Sequence, residues 1–139
     1  QRFGTVYSLN VLEHIEDDAA ALRQIHDLLL PAGKLVLYVP AFMSLFTKMD
    51  RRVGHFRRYR RGQLEQLVRA AGFRVSRSEY VDSAGFAATL LYRLTGRDGA
   101  ISRRSVVLYD RVIFPLSRAV DHVTHPYFGK NVLVVANRD

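Results

Sequence analysis

The chain has 139 residues, a formal net charge of +8, a pI near 10.3 and 48% hydrophobic residues, the size and apolar content of one domain with its own core. It has no cysteine, which excludes disulfides and cysteine-ligated metal sites and fits a reducing compartment, taken as the cytoplasm. No apolar run approaches the roughly 18 residues of a membrane span, no signal peptide is visible, and the basic balance favours anionic partners. Gln1 reads as a cut point or the start of the ordered part, not a natural start.

Residues 3–9 carry Phe3, Val6, Tyr7 and Leu9 in loose alternation, which predicts a buried strand. Its end, Asn10-Val11-Leu12-Glu13-His14, puts ionisable groups where open α/β sheets bind ligands. Glu16, Asp17 and Asp18 open a helix, their charge complementing its dipole. Leu22, Ile25, Leu28 and Leu29 fall on one face, and Pro31-Ala32-Gly33 stops the helix. Residues 34–40 form a second strand, so the first forty residues read as a right-handed βαβ unit with a parallel pair.

Residues 41–62 are irregular and arginine-rich. A helix follows from Gln63 to Ala71, with Leu64, Leu67 and Val68 inward and Gly72 as its stop. Residues 73–81 predict a third strand. Residues 82–104 read as a helical hairpin or loop insertion turning at Gly96 and Gly99. Residues 105–122 read as an amphipathic helix kinked at Pro115. Residues 131–137 are a last apolar strand. There is no repeat, low-complexity tract or linker, so residues 1–139 read as one partial domain with a helical insertion at about 82–122.

Several of these segments, taken in order, resemble the second half of class I S-adenosylmethionine-dependent methyltransferases. Val11-Leu12-Glu13-His14-Ile15 is similar to the segment that closes the family's fourth strand. Leu30-Pro31-Ala32-Gly33-Lys34-Leu35 is similar to the approach to the fifth, with Ala32 in place of a glycine. Gly72-Phe73 matches the opening of the sixth strand, and Phe128-Gly129-Lys130-Asn131 the turn into the seventh. The resemblance implies an α/β fold: a partial Rossmann-like methyltransferase sheet equivalent to strands four to seven, a parallel βαβ unit plus a C-terminal antiparallel strand. It implies S-adenosyl-L-methionine as cofactor and methyl transfer to an oxygen or nitrogen. The family's glycine-rich loop and the acidic residue that binds the cofactor ribose have no counterpart here. The chain by itself is therefore expected to bind cofactor poorly and to be inactive without the rest of the fold.

By the same resemblance, Ser8, Asn10, Val11, Leu12 and Glu13 line the cofactor pocket; Val11 and Leu12 can equally be the staple at a helix entry. Methyl transfer needs an in-line nucleophile, and a hydroxyl acceptor also benefits from a base. His14 is the candidate base, with His55 as companion; the alternative packs His14 under the sheet end and has Glu13 cap the next helix or pair with an arginine. No metal is assigned. Relatives carrying E-x-x-E-H at this strand end bind a divalent cation, but Asn10 removes one carboxylate, which weakens a hard-cation site. Glu13, His14 and His55 could still form a facial transition-metal cluster.

The stretch Arg51-Arg52-Val53-Gly54-His55-Phe56-Arg57-Arg58-Tyr59-Arg60-Arg61 surrounds one histidine with six arginines. It resembles an acceptor-facing loop of the family. Arg57, Arg58 and Tyr59 are the candidate substrate-binding residues, suited to a phosphorylated, nucleotide-linked or lipid-linked acceptor. The alternative is pairing of some arginines with Asp50, Glu65 or Asp110 and packing of Tyr59 in the core. Nucleic acid is disfavoured because no recognition fold is present. Two further readings stand beside the enzyme: a non-catalytic module that packs on a partner or on itself through an exposed half-sheet, and a peripheral protein on anionic membranes.

Overall fold

A computed structural model describes residues 2–95, 107, 111 and 114–139 of the chain. Four strands, β1 (Phe3–Leu9), β2 (Leu29–Pro40), β3 (Phe73–Val81) and β4 (Asn131–Arg138), form one sheet in the order β1-β2-β4-β3. β1 pairs parallel to β2, with Val6 opposite Leu35 and Ser8 opposite Leu37. β4 runs antiparallel to both neighbours, with Val36 opposite Val135 and Val81 opposite Asn131. β1, β2 and β3 therefore point the same way, and their C-terminal ends share one sheet edge.

The helices are α1 (Asp18–Leu28), α2 (Lys48–Arg52), α3 (Arg61–Ala70), α4 (Ser83–Thr95) and α5 (Phe114–Thr124). Asp17 caps α1 by accepting the Ala20 N–H at 2.8 Å, which satisfies one of the donors a helix start leaves free. Leu22 of α1 and Leu64 and Val68 of α3 are fully buried. They belong to one core with Leu35, Leu37 and Val39 of β2 and Val132, Val134 and Ala136 of β4. Burying a side chain of this size is worth roughly 1.5–3 kcal/mol relative to leaving it exposed. The period-2 pattern of β2 and β4 and the helical spacing of α1 and α3 therefore meet in a single layer.

The opening strand departs from the expectation of full burial. Only Val6 and Ser8 turn to the packed face; Phe3, Tyr7 and Leu9 are exposed at 42, 69 and 56%. The reason is position: β1 is an edge strand, and no described element covers its second face. Leu28 is likewise exposed, since α1 ends there and the chain is already extended at Leu29, earlier than the Pro31-Ala32-Gly33 stop. α3 begins two residues before its expected start.

β3 has the predicted bounds and β4 extends them by one residue. Gly129, in the turn into β4, is sterically required: a Cβ there would run into the backbone of Val81. The expected insertion contains the helix α4, while residues 96–106, including the turn at Gly96 and Gly99, lie outside the described residues. Pro115 is the second residue of α5, a position whose N–H has no intrahelical partner to lose. Most of the stretch before Phe114 lies outside the described residues.

Candidate active site at the strand ends

Three non-glycine residues with left-handed backbone sit on the sheet edge where β1, β2 and β3 end: Asn10 (φ 52°), Phe42 (φ 58°) and Asp82 (φ 65°). Asparagine tolerates this region; a phenylalanine there is strained. Phe42 is held by stacking on Tyr80, with ring centroids 4.8 Å apart, and by donating its N–H to the Tyr59 carbonyl at 2.9 Å. Asn10 donates its N–H to the Tyr38 carbonyl at 2.8 Å. It thereby ends β1 and turns the chain out over the edge.

The turn is followed by a single helical turn, Leu12–His14, which sorts the candidate residues. Val11 is 48% exposed and presented to solvent beside Asn10, while Leu12 and Glu13 are sealed at 1 and 0%. Ser8 faces the packed side. Of the five residues expected to line a cofactor pocket, only Asn10 and Val11 offer side chains on the surface of this edge.

The arginine-rich loop closes over the same place. Phe56 donates its N–H to the Glu13 carbonyl at 2.8 Å, and Tyr59 bridges to Ala41 just past β2. Gly54 makes the bend with φ +80°, a conformation in which a side chain would be strained, and a Cβ there would stand in ordinary contact with His14 at 3.9 Å. The His14 and His55 rings meet edge to face with centroids 4.6 Å apart.

Asp50 organises this loop. Its carboxylate accepts the Thr47 N–H at 2.7 Å, and Arg58 Nε and Nη2 at 2.9 and 3.0 Å. Its Oδ1 lies 2.8 Å from His55 Nδ1. Burial works against the Asp50 charge, but the Arg58 fork, the Thr47 N–H and His55 outweigh it and hold its pKa at about 2. An ionised carboxylate only accepts, so His55 Nδ1 carries a proton. The other ring nitrogen, Nε2, faces Glu13, whose Oε1 lies 3.8 Å away. Neither Glu13 carboxylate oxygen has a hydrogen-bond partner. Burial pushes the Glu13 carboxyl above the usual range, with His55, His14 and Arg58 pulling against it.

The three residues expected to meet an acceptor have their polar ends committed within the chain. Arg57 donates to the carbonyls of Ile15 and Glu16 at 3.0 and 2.7 Å and pairs with Asp18 at 2.7 Å. Arg58 is 8% exposed in its pair with Asp50. Tyr59 is buried and donates its hydroxyl to Asp18 at 2.9 Å; burial and Asp18 push its pKa well above the ordinary phenol range. Burying a guanidinium or a phenol demands such partners, and the loop supplies them locally. Arg51 and Arg52 are exposed on α2. The alternative that some loop arginines pair with Asp50 or Glu65 is what the structure shows for Arg58 with Asp50 and Arg61 with Glu65, while Asp18 reads in the sequence only as a helix-opening acid. The signal for Asp50 was present: Thr47-Lys48-Met49-Asp50 spells a capping box.

A parallel βαβ unit, a last strand inserted antiparallel and a polar strand edge define a Rossmann-like methyltransferase fold, and comparison with known proteins agrees. The sequence profile of a family described as a methyltransferase domain matches residues 1–78. The chain belongs to that family, and its fold is that of class I S-adenosylmethionine-dependent methyltransferases. A search of curated proteins finds no match. Among solved structures, the chain is similar to the complex between the Haloferax volcanii Trm112 methyltransferase activator and a methyltransferase, at 16% identity and TM-score 0.59, covering 98% of this chain and 54% of that one. It is similar to an S-adenosylmethionine-dependent methyltransferase from Mesorhizobium loti, at 16% identity and TM-score 0.56, covering 98% and 62%. It is also similar to phosphoethanolamine N-methyltransferase 2 of Haemonchus contortus in complex with S-adenosyl-L-methionine, at 18% identity and TM-score 0.55, covering 98% and 33%. At these identities the likeness is one of fold. The chain spans about half the length of the first of these structures. No described helix is long and apolar enough to cross a membrane.

Proposed function

We propose that the protein carrying this chain transfers a methyl group from S-adenosylmethionine to an oxygen or nitrogen of a small acceptor, and that this chain supplies one wall of the site. The observation that carries the reading is the β1 end. Asn10 leaves the strand in a left-handed conformation and puts Val11 on the surface, one turn before His14, whose ring meets His55 of the arginine loop. Exposed backbone and an apolar side chain at a parallel strand end are what a nucleoside with a thioether or sulfonium tail needs. Leu12 and Glu13 fit the pocket through backbone and packing, since their side chains are buried.

His14 is the base in this reading. It is the exposed member of the cluster, while His55, fixed by Asp50, braces its ring. A neutral imidazole near pH 7 accepts the acceptor's proton as the methyl group transfers in line. An anionic acceptor would meet the exposed guanidinium groups of Arg51 and Arg52 rather than Arg57 and Arg58, which are engaged. Calorimetry of the full-length protein with S-adenosylhomocysteine tests the cofactor half, and no heat of binding sinks it. His14→Ala tests the base: with an acceptor in hand, kcat should fall on the order of 100-fold, and a near-normal kcat removes that role.

The exposed second face of β1 supports another reading, an interaction module. Phe3, Tyr7 and Leu9 form an apolar strip on the outermost described strand, a surface suited to packing against further elements of the same fold, another chain or another copy. Light scattering coupled to size-exclusion chromatography separates the cases, because a compact monomer argues against obligate pairing.

A further inference from the structure

We propose that Glu13, His14 and His55 form a binding site for a transition-metal dication of the Zn2+, Co2+ or Mn2+ class, held by one carboxylate and two imidazoles. This deepens the reading of the same strand-end site given above. A ligand atom from each residue lies within 4.8 Å of the others, and His55 Nε2 is 3.8 Å from Glu13 Oε1. Two ligands of a tetrahedral ion, each about 2.1 Å from it, stand about 3.4 Å apart. The His55–Glu13 pair is within about half an ångström of that spacing, and the widest spacing closes with side-chain rotations of about 1.4 Å.

Bond accounting makes the case stronger than spacing alone. Glu13 is fully buried and both its oxygens lack a hydrogen-bond partner. His55 Nδ1 is spent on Asp50, so Nε2 is the ring nitrogen that faces the carboxylate. At 3.8 Å the two atoms are too far apart for a direct hydrogen bond, and a cation between them would give the buried carboxylate the partner it lacks. The Asp50–His55 contact is also the outer-shell arrangement that fixes the tautomer and orientation of a metal-bound imidazole. Two nitrogen donors beside one oxygen favour a transition metal over Mg2+ or Ca2+. His14 is on the solvent side of the cluster, which leaves a coordination position for water or an acceptor oxygen. A cation there would hold and acidify the acceptor, so that in the metal-loaded protein His14 would act through the ion it binds, and the direct base role given above would apply to the metal-free site.

The test uses the full-length protein, stripped with chelator and free of S-adenosylmethionine. Titration with Co2+ should give one ion per chain with visible absorption of a low-coordinate N/O site, and Zn2+ should displace it while Mg2+ should not. His14→Ala, on the exposed side where folding is least disturbed, and Glu13→Gln should each weaken Co2+ binding at least about tenfold, and Asp50→Asn about 10- to 100-fold. Circular dichroism checks that each variant is folded, and His14→Ala carries the test if the buried changes unfold the protein. Absence of saturable binding overturns the proposal. So does binding that survives His14→Ala unchanged, which places the ion on histidines elsewhere, such as His122 and His125. Cobalt binding without any S-adenosylhomocysteine binding overturns the methyltransferase reading and leaves the metal site standing.

Discussion

Replacing Asp50 with asparagine should destabilise the metal-free protein by about 2–3 kcal/mol. Asp50 is 2% exposed and holds Arg58, itself 8% exposed, in a two-point fork. Its carboxyl falls from 3.8 to about 2; at about 1.36 kcal/mol per pH unit this is roughly 2.4 kcal/mol in favour of the charged form. Breaking a buried pair outright costs about 3–5 kcal/mol. The asparagine amide keeps the shape and one acceptor, so the expected loss lies below that range. Because the folded value is depressed, the stabilisation is present above about pH 4 and is lost as the pH falls towards 2. Urea unfolding followed by circular dichroism should show a wide gap between wild type and variant at pH 7 that narrows near pH 3. A loss under about 0.5 kcal/mol at neutral pH, or a gap of equal size at both, would refute the placement of Asp50 at the centre of this loop.

Gly129→Ala should cost about 2 kcal/mol or more in the same assay, since its Cβ meets the Val81 backbone, which cannot swing aside as a side chain can. Leu37→Ala, in the fully buried centre of β2, should cost about 2–5 kcal/mol through lost burial and an unfilled cavity. Tyr59→Phe should cost about 1 kcal/mol for the hydroxyl bond to Asp18. In a spectrophotometric alkaline titration, Tyr59 and Tyr38 should keep their protons above the ordinary phenol range. Both folded values are raised, so stability holds below about pH 10 and is lost as the pH climbs past it, where the unfolded phenols ionise first. Early, simultaneous ionisation of all the tyrosines would contradict their burial.

Much of the fold was legible along the chain because periodicity reports burial directly. The alternation in β2 and β4 and the spacing of Leu64 and Val68 in α3 each mark one apolar face, and each face is the one that packs. The β1 strand shows the limit of that signal: its residues have strand character, yet which face is covered depends on the neighbour across the sheet. The site was legible in part. Glu13, His14 and His55 could be singled out from their residue types and from strand-end logic, but Arg57, Arg58 and Tyr59 have the composition of a binding loop and the contacts of an internal brace.

The sequence by itself determined the order of strands and helices, the polar character of the β1 end and the methyltransferase resemblance, because these rest on local pattern and short motifs. Only the tertiary structure decided which charges are paired, that Glu13 is buried without a donor, and that His55 stands between it and Asp50. These residues are up to 42 positions apart in sequence, from Glu13 to His55. No local pattern encodes the distance between them. It is set by where β1 ends on the sheet and by the bend at Gly54 that returns the arginine loop over that end.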